Sequence, residues 1–152
     1  MPENILGTNQ VCQVGLVVKD IEKSIDGYCE VFGIQRPAVI ITDDYQAAKT
    51  AYRGQPSLAR AKLAFIDMGQ VQIELIEPVG EPSTWKEALD KAGESVHHIA
   101  FIIKGTDAVV EKLAQRDMPV AQQGNYTGGR YTYIDSAQKL GVVLELLENF
   151  GS

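Results

Sequence analysis

The sequence predicts an α+β fold built from two βαβββ modules, and three observations lead to that prediction. Short apolar segments of strand length alternate with segments whose apolar residues recur at helical spacing. The order of these elements starts again after Gly93. Two pairs of strand sequences also match each other, in the same order in both halves. We therefore expect one domain over residues 1–152, with modules at 10–80 and 95–149 joined by a linker helix at 84–92.

The first half opens with residues 11–18, an apolar segment typical of a strand buried on both faces. Asp20 is a suitable N-cap for the helix that follows, and Gly33 is a suitable residue to close it. The remaining strands of this half are predicted at residues 37–42, 62–67 and 71–77. Between them, the polar stretch 43–58 predicts a long, mobile loop, which in a small domain is either a functional lid or a surface insertion.

The second half repeats this order after a break in the β pattern at residues 78–93. Within that break, residues 84–87 have the arrangement of a capping box, which predicts the short linker helix. The elements that follow are a strand at 96–104, a helix at 106–115 and strands at 118–122, 131–135 and 142–148.

The internal repeat is visible in the residues themselves. Residues 13–19 (QVGLVVK) match residues 98–104 (HIAFIIK) position by position. Residues 73–77 (IELIE) match residues 144–148 (LELLE) in the same way. Any one match between apolar strands can arise by chance, but two matches in the same order indicate an internal duplication.

The duplication groups four polar residues into a candidate metal site. Gln13 and His98 are equivalent residues on the first strands of the two halves. Glu74 and Glu145 are equivalent residues on the last strands. A single Glu in a strand is more often half-exposed or salt-bridged, but a carboxylate is costly to bury in an apolar strand without a partner. If a pseudo-twofold axis relates the halves, the four side chains converge on one site.

These four side chains suit one divalent cation. The two carboxylates bring two negative charges and the other two ligands are neutral, so the charge of the ion is balanced. One nitrogen and several oxygens admit Zn, Ni, Co, Mn or Fe(II) and leave room for two substrate oxygens. His97 is adjacent to His98, so the two are expected to face opposite sides of their strand. We therefore assign His98 to the site and interpret His97 as structural.

Composition and charge exclude several classes of function. A net charge of −6 without a run of basic residues is unfavourable for binding nucleic acid or an anionic membrane surface. No apolar run reaches the roughly 18 residues that span a bilayer. The first residues lack the pattern of a secretion signal. Cys12 and Cys29 have no CxxC spacing and are expected to be reduced, which is typical of a cytoplasmic protein.

The ordering of Gln13, Glu74, His98 and Glu145 resembles the vicinal oxygen chelate superfamily. That superfamily includes glyoxalase I, methylmalonyl-CoA epimerase, extradiol dioxygenases and bleomycin-resistance proteins. The resemblance covers residues 11–148. It implies a curved mixed sheet around a site for one divalent metal ion per chain, with these four residues as the ligands, and it implies a homodimer.

Two branches of this superfamily share features with the chain. Glyoxalase I enzymes of one branch use Gln, Glu, His and Glu as ligands in this order, but Val17 stands where those enzymes carry an arginine for glutathione. The segments that resemble methylmalonyl-CoA epimerase are 77–83, 97–101, 127–130 and 141–146. Lys62 stands where the epimerases carry an additional carboxylate base.

The resemblance implies a metal-dependent lyase or isomerase of the glyoxalase I or methylmalonyl-CoA epimerase type. Such enzymes transfer a proton at the carbon α to a carbonyl, through an enolate that the metal stabilises. The substrate is then a small carbonyl compound or a thioester. Glu145 is the expected base that takes the proton, and Glu74 is the expected group that returns it.

Further substrate contacts are expected around a pair of glycines in the second half. Gly128 and Gly129 would let the backbone approach a ligand closely, or would form an ordinary hairpin turn. Arg130 would hold an anionic substrate group, or would lie on the surface. Arg53 and Tyr45 are weaker candidates of the same kind.

Two other functions stay open at this point. A ring-cleaving dioxygenase of this superfamily needs two His ligands and one Glu, and the chain offers one suitable His. A metal-free, drug-sequestering binding protein has the same fold. Gln13 keeps that alternative open, because an amide oxygen is a weaker metal ligand than an imidazole.

Overall fold

A computed structural model describes residues 2–151 and shows one sheet and five helices over that range. The strands are β1 (Gln13–Val17), β2 (Ile40–Ile41), β3 (Ala51–Tyr52), β4 (Gln55–Pro56), β5 (Arg60–Asp67), β6 (Gln72–Val79), β7 (Ser95–Ile102), β8 (Val120–Tyr126), β9 (Gly129–Ile134) and β10 (Val143–Asn149). The helices are α1 (Ile21–Phe32), α2 (Tyr45–Ala48), α3 (Thr84–Ala92), α4 (Thr106–Ala114) and α5 (Ala137–Leu140). No helix in this part of the chain is long and apolar enough to cross a membrane.

The ten strands form one mixed sheet in the order β2-β5-β6-β1-β7-β10-β9-β8-β3-β4. The first eight positions are symmetric about the centre, because β6, β5 and β2 follow β1 on one side as β10, β9 and β8 follow β7 on the other. Together with α1 and α4, each side is a βαβββ unit. The sheet curls into a half-barrel. The predicted α+β class, with two βαβββ modules in a curved mixed sheet, is confirmed.

The strand register agrees with the internal repeat. β1 runs parallel to β6, and Gly15 lies beside Glu74. β7 runs parallel to β10, and Ala100 lies beside Glu145. Gly15 and Ala100 are equivalent positions in the repeated sequence, so the two halves pair their first and last strands in the same register.

A pseudo-twofold axis passes between the two central strands. β1 and β7 are antiparallel, with Val14 opposite Ile99. On either side of that pair, Gln13 lies opposite Ala100 and Gly15 lies opposite His98. Exchanging each residue for its equivalent in the other half reproduces the same pairs, as a twofold relation requires.

One irregularity at this seam changes the direction of a side chain. Gly15 lies opposite His98 but the next residue, Leu16, lies opposite Val96, so His97 is an extra residue in β7. Such a β-bulge interrupts the alternation of side chains between the two faces. His97 and His98 are accordingly both buried. The expectation that the two imidazoles face opposite sides is wrong, because it assumed a regular strand.

Two helices cover the sheet in equivalent ways. Ile25 of α1 packs in a cluster with Leu75 of β6. Leu113 of α4 packs in a cluster with Leu146 of β10. Burial of one such side chain stabilises a fold by about 1.5–3 kcal/mol. Each helix therefore holds the last strand of its own module in place, and both of those strands carry a predicted metal ligand.

A carboxylate at the end of each last strand also caps the helix of the same module. Glu77 Oε1 accepts a hydrogen bond from Ile21 N, at 2.9 Å, in the first turn of α1. Glu148 Oε1 accepts a hydrogen bond from Thr106 N, at 3.1 Å, in the first turn of α4. The two carboxylates are equivalent in the repeat, so the duplication extends beyond the strands to the helix caps.

The segment 43–58, predicted as a long loop, is folded. It contains α2 and the hairpin of β3 and β4, whose two-residue turn places Arg53 and Gly54 at positive φ. β3 extends the sheet of the second module by pairing with β8, where Ala51 lies opposite Gln123. Strands of two residues carry no periodic pattern, which is why the sequence predicted a loop here.

Candidate metal centre and adjoining cavity

The four predicted ligands lie on the four central strands of the sheet, one on each. Gln13 opens β1, and His98 lies on β7 beside it. Glu74 lies on β6 and Glu145 on β10, the strands that flank this central pair. All four side chains are buried, with His98 completely inaccessible. The structure therefore brings the four residues together as the repeat predicted.

The donor atoms of this cluster are close to one another. His98 Nε2 lies 3.0 Å from Gln13 Oε1, 3.1 Å from Glu145 Oε1 and 3.4 Å from Glu74 Oε1. The same end of the Gln13 amide lies 3.2 Å from Glu74 Oε1 and 3.1 Å from Glu145 Oε1. When donor atoms bind one ion at about 2.1 Å, neighbouring donors lie about 3.0 Å apart in octahedral geometry and about 3.4 Å apart in tetrahedral geometry. The spacing fits a single divalent ion.

The Gln13 amide can present either its oxygen or its nitrogen to the cluster, and the structure shows the first of these orientations. Its Nε2 donates to Gln72 Oε1 at 2.7 Å, which turns the amide oxygen toward the two carboxylates. In the reverse orientation, which the two carboxylates favour by themselves, the amide nitrogen donates to Glu74 Oε1 at 3.2 Å and to Glu145 Oε1 at 3.1 Å. A cation bound between the carboxylates would instead favour the orientation that presents the amide oxygen, so the orientation of Gln13 is coupled to metal binding.

Burial and mutual charge shift the pKa values of Glu74 and His98. Burial first, and then the charge of Glu145, raise the pKa of Glu74 above its usual value, although His98 acts in the opposite sense. Burial also lowers the pKa of His98, but the two carboxylates outweigh it and the net shift is upward. Without a cation the cluster holds protons. A divalent ion would displace those protons, so metal binding at this site is coupled to proton release.

A glycine gives the His98 imidazole its space. Gly15 lies opposite His98 across the β1–β7 pair. A Cβ atom at position 15 would lie 2.5 Å from His98 Nδ1 and 2.6 Å from His98 Nε2, which is too close for any side chain. The imidazole therefore lies directly over the backbone of β1. A glycine inside an apolar strand is the sequence signal for such a close approach, and Gly15 carries that signal.

His97 supports the same imidazole from the other side. His97 Nδ1 lies 2.8 Å from His98 Nδ1, and His97 Nε2 lies 3.0 Å from the Thr84 hydroxyl at the start of α3. Burial, and secondarily the charge of His98, lower the pKa of His97 well below its usual value, so this imidazole is neutral. When His98 Nε2 faces the cluster, its Nδ1–H donates to His97 Nδ1. That bond fixes the tautomer in which Nε2 is free to bind a metal.

A cavity of about 490 Å³ adjoins the cluster, and Gln13, Glu74 and Glu145 form part of its wall. Five aromatic side chains contribute to the rest of the wall: Phe65, Trp85, Tyr126, Tyr131 and Tyr133. Such a volume accommodates a small organic molecule. The tyrosines at i and i+2 on β9 are a pattern that sequence reasoning could have found, because alternate residues of a strand share a face.

The predicted substrate contacts Gly128, Gly129 and Arg130 do not line the cavity. Gly128 lies in the two-residue turn between β8 and β9, at φ 87°. Arg130 Nη2 lies 3.1 Å from Asp107 and 3.4 Å from Glu148, and the side chain does not line the cavity. Arg130 points away because Tyr131 and Tyr133 occupy the cavity face of the strand. The structure supports the hairpin-turn alternative for Gly128 and Gly129, and it does not support a substrate role for Arg130.

Arg53, a weaker predicted contact, and Lys62, which stands at the position of the epimerase base, are both in ion pairs. Arg53 pairs with Glu87 at 3.0 Å and with Asp135 at 3.4 Å. Lys62 pairs with Glu77 at 3.5 Å. The 43–58 segment does reach the cavity, but through other residues, namely Asp43, Ala48 and Thr50.

Comparison with known proteins agrees with this architecture. Residues 12–134 match the family model described as the Glyoxalase/Bleomycin resistance protein/Dioxygenase superfamily. An uncharacterised protein of Bacillus subtilis, YqjC, is 26% identical in an alignment 149 positions long that covers 94% of this chain and 94% of that protein.

Solved structures with the same fold include two methylmalonyl-CoA epimerases. The epimerase of Mycobacterium tuberculosis aligns with a TM-score of 0.67 at 21% identity, over 99% of this chain and 94% of that one. A variant of the Streptomyces coelicolor epimerase in complex with 2-nitronate-propionyl-CoA aligns with a TM-score of 0.63 at 21% identity, over 93% of this chain and 98% of that one. At these identities the likeness extends to the fold alone.

Proposed function

We propose a function for this chain on the ground that it belongs to the Glyoxalase/Bleomycin resistance protein/Dioxygenase superfamily. The chain is a metal-dependent lyase or isomerase that transfers a proton at the carbon α to a carbonyl. The observation that carries this proposal is the buried cluster of Gln13, Glu74, His98 and Glu145, whose donor atoms have the spacing of a single coordination sphere. These four residues would hold one divalent ion, from among Zn, Ni, Co, Mn and Fe(II).

The bound ion would polarise the carbonyl of the substrate and stabilise the negative charge that forms when the α-proton leaves. Glu145 would take that proton as general base. Glu74, protonated from solvent when the substrate displaces it from the ion, would return a proton as general acid, and exchange with solvent would then restore both carboxyl groups. Both carboxylates border the cavity, and their Oε1 atoms lie 3.1 and 3.4 Å from His98 Nε2. A substrate that enters the cavity therefore meets both groups next to the polarised carbonyl.

The walls of the cavity keep water away from the reacting atoms. Tyr133 and Trp85 are almost completely buried beside the cluster. Trp85 Nε1 donates to the Tyr133 hydroxyl at 3.0 Å, so the two side chains hold each other in place. Exclusion of water strengthens the electrostatic interactions within the site.

A ring-cleaving dioxygenase is not favoured by this geometry. That activity needs a second His ligand, and the neighbouring His97 directs its nitrogens to His98 and Thr84 instead of toward the carboxylates. A metal-free binding protein remains the second candidate, because the cavity has the size and the aromatic walls of a binding site for a drug-sized molecule.

Metal analysis and hydrogen exchange distinguish the two candidates. The protein is purified without chelators, its metal content is measured, and it is incubated in deuterated water with a panel of thioesters, hemithioacetals and 2-oxo acids. An enzyme of the proposed kind holds about one divalent ion per chain and exchanges the α-hydrogen of at least one compound only when that ion is present. Protein without metal that binds members of the panel and exchanges none of them would establish the binding-protein alternative.

We further propose that the chain acts on a small carbonyl compound or thioester as a homodimer in the cytoplasm. The homodimer follows from the resemblance to the superfamily, and the location from the sequence analysis. The molar mass measured by light scattering checks the first, because one chain has a mass of 16.6 kDa.

A further inference from the structure

The cavity beside the cluster is lined by no lysine or arginine side chain among the residues that the structure describes. The charged residues in its wall are Asp43, Glu74 and Glu145, and all three are acidic. A divalent ion would balance the two glutamates, and the exposed Asp43 would then be the remaining charged side chain of the wall. An anionic group that enters this space meets like charge and finds no cationic side chain.

Basic side chains near the cavity are bound elsewhere. Arg60 lies next to the lining residue Thr42, but its Nε and Nη2 both donate to the Thr42 carbonyl oxygen, at 2.9 and 2.7 Å. Arg53 and Arg130 are in ion pairs with carboxylates outside the cavity wall. Recruiting any of them to a substrate would break an existing charge-assisted bond.

The remaining wall is mostly apolar. Leu63, Phe65 and Leu147 present hydrocarbon surface, and Tyr131 and Tyr133 add their rings. The Tyr131 hydroxyl accepts a hydrogen bond from Gln122 Nε2 at 3.0 Å, and the Tyr133 hydroxyl accepts one from Trp85. Each hydroxyl accepts a hydrogen bond within the wall and keeps its O–H as a neutral donor, so the two tyrosines offer a ligand ring surface and hydrogen bonds but no positive charge. Burial of apolar ligand surface against such walls is favourable, whereas an unpaired charge in the same place is costly.

We propose that the substrate of this site is an uncharged, largely apolar carbonyl compound, and that the site discriminates against substrates that carry a carboxylate beside the reacting carbon. This inference rests on the proposed function and names its substrate class. It separates the chain from an epimerase of methylmalonyl thioesters, since a methylmalonyl group carries a carboxylate on the carbon that loses the proton.

A matched pair of ligands tests the proposal. Methylmalonyl-pantetheine and its methyl ester share one skeleton and differ in charge at one group. Trp85 is the single tryptophan of the chain and lies in the cavity wall, so its fluorescence reports binding directly, without any reaction. For the metal-loaded protein we expect the ester to quench Trp85 at a concentration at least tenfold lower than the acid does. Equal or tighter binding of the acid, or no quenching by the ester, would overturn the proposal.

Two lysine variants, one inside the cavity wall and one outside it, test whether charge in the cavity controls binding. Ile40 lines the cavity and is 50% exposed, so Ile40→Lys supplies a cation without burying it. It should strengthen binding of the acid about tenfold and leave binding of the ester nearly unchanged. Leu58→Lys adds the same charge at a side chain that is 79% exposed and outside the cavity wall. It should change neither the binding of the acid nor the binding of the ester. If both variants strengthen acid binding equally, the effect is one of net charge and the cavity does not discriminate as proposed.

Hydrogen exchange on the same two ligands tests the substrate class and the proton-transfer function separately. Exchange rates are expressed relative to the uncatalysed rate for each compound, because the ester is intrinsically the more acidic. Exchange of the ester in preference to the acid supports both proposals. Exchange of the acid in preference to the ester keeps the proton-transfer function and overturns the substrate class. Tight binding of the ester with no exchange of either compound keeps the ligand class and overturns the function.

Discussion

The Nδ1 atoms of His97 and His98 lie 2.8 Å apart, and the two rings meet edge to face. This contact gives the structural role predicted for His97 a specific form, because the His97 imidazole orients that of His98. We expect His97→Ala to weaken metal binding by about 10- to 100-fold, the usual effect of removing a group that orients a metal-binding His. A chelator-competition titration measures the affinity. His97→Asn can still accept a hydrogen bond and should restore part of it, whereas equal affinities in all three proteins would leave His97 a packing residue.

Removal of a ligand should release the ion itself. His98→Ala and Glu145→Ala each take one donor from a set of four, so metal content should fall well below one ion per chain after dialysis. Elemental analysis by mass spectrometry measures it. Glu30→Ala, at an exposed position of α1, is the matched control and should keep the wild-type content. Unchanged content in both ligand variants would reject the site.

Replacement of the proposed base should separate proton transfer from metal binding. Glu145→Gln keeps the shape of the side chain and one oxygen for the metal, so the protein should still load an ion. We expect α-hydrogen exchange to fall by roughly 10²-fold or more, since general base catalysis typically contributes that much. Exchange is followed by NMR in deuterated water on metal-loaded protein. A wild-type rate in Glu145→Gln would move the base role to Glu74, and Glu74→Gln would then show the loss.

Gly15 should tolerate no side chain. In Gly15→Ala the new Cβ collides with the His98 imidazole, which has no free space to move into. We expect a loss of about 1–3 kcal/mol in the free energy of unfolding, as for other overpacked cores, together with weaker metal binding. Gly27→Ala on α1 is the control, because nothing lies within 4 Å of its Cβ and alanine favours a helix. Urea unfolding compares the two, and similar stability of both variants would contradict the close packing of His98 on β1.

Glu148 should make the fold sensitive to acid. Hydrogen bonds from Thr106 and Gly105, and one from Arg130, lower the pKa of Glu148 to about 2. A carboxyl whose pKa is lower in the folded state stabilises the fold above its unfolded pKa of about 4.3. That contribution is lost as the pH falls from about 4.3 to about 2. Urea unfolding of wild type and Glu148→Gln should therefore differ at pH 6 and converge near pH 2. A difference that is independent of pH would exclude this linkage.

The sequence was sufficient to predict that these four side chains lie together because two separate strand repeats agreed. A glutamate within IELIE or LELLE is weak evidence for a metal ligand by itself, and the equivalent glutamate in the other half is what made the pair a candidate. The register of the strands confirms the pairing that the repeat implied. The tyrosines of β9 and the hairpin of β3 and β4 were not identified, since neither belongs to the repeated segments.

The bulge at His97 shows why the remaining geometry was out of reach of the sequence. Strand periodicity assigns adjacent residues to opposite faces, and one inserted residue changes that assignment locally. No residue type in this stretch marks the insertion. The contact between the two imidazoles depends on this bulge. The position of His97 beside the proposed ligand His98 could therefore be learned only from the three-dimensional structure.

The division of the donors between the two modules has a consequence for how the protein is held together. Gln13 and Glu74 come from one half and His98 and Glu145 from the other, with the antiparallel seam of β1 and β7 between them. An ion bound by all four would act as a cross-link over that seam, and part of its binding energy would stabilise the association of the two halves. A half-length ancestor with a single pair of donors could have assembled the full set only by associating with a second copy of itself. Gene duplication and fusion would then have placed both pairs of donors in one chain.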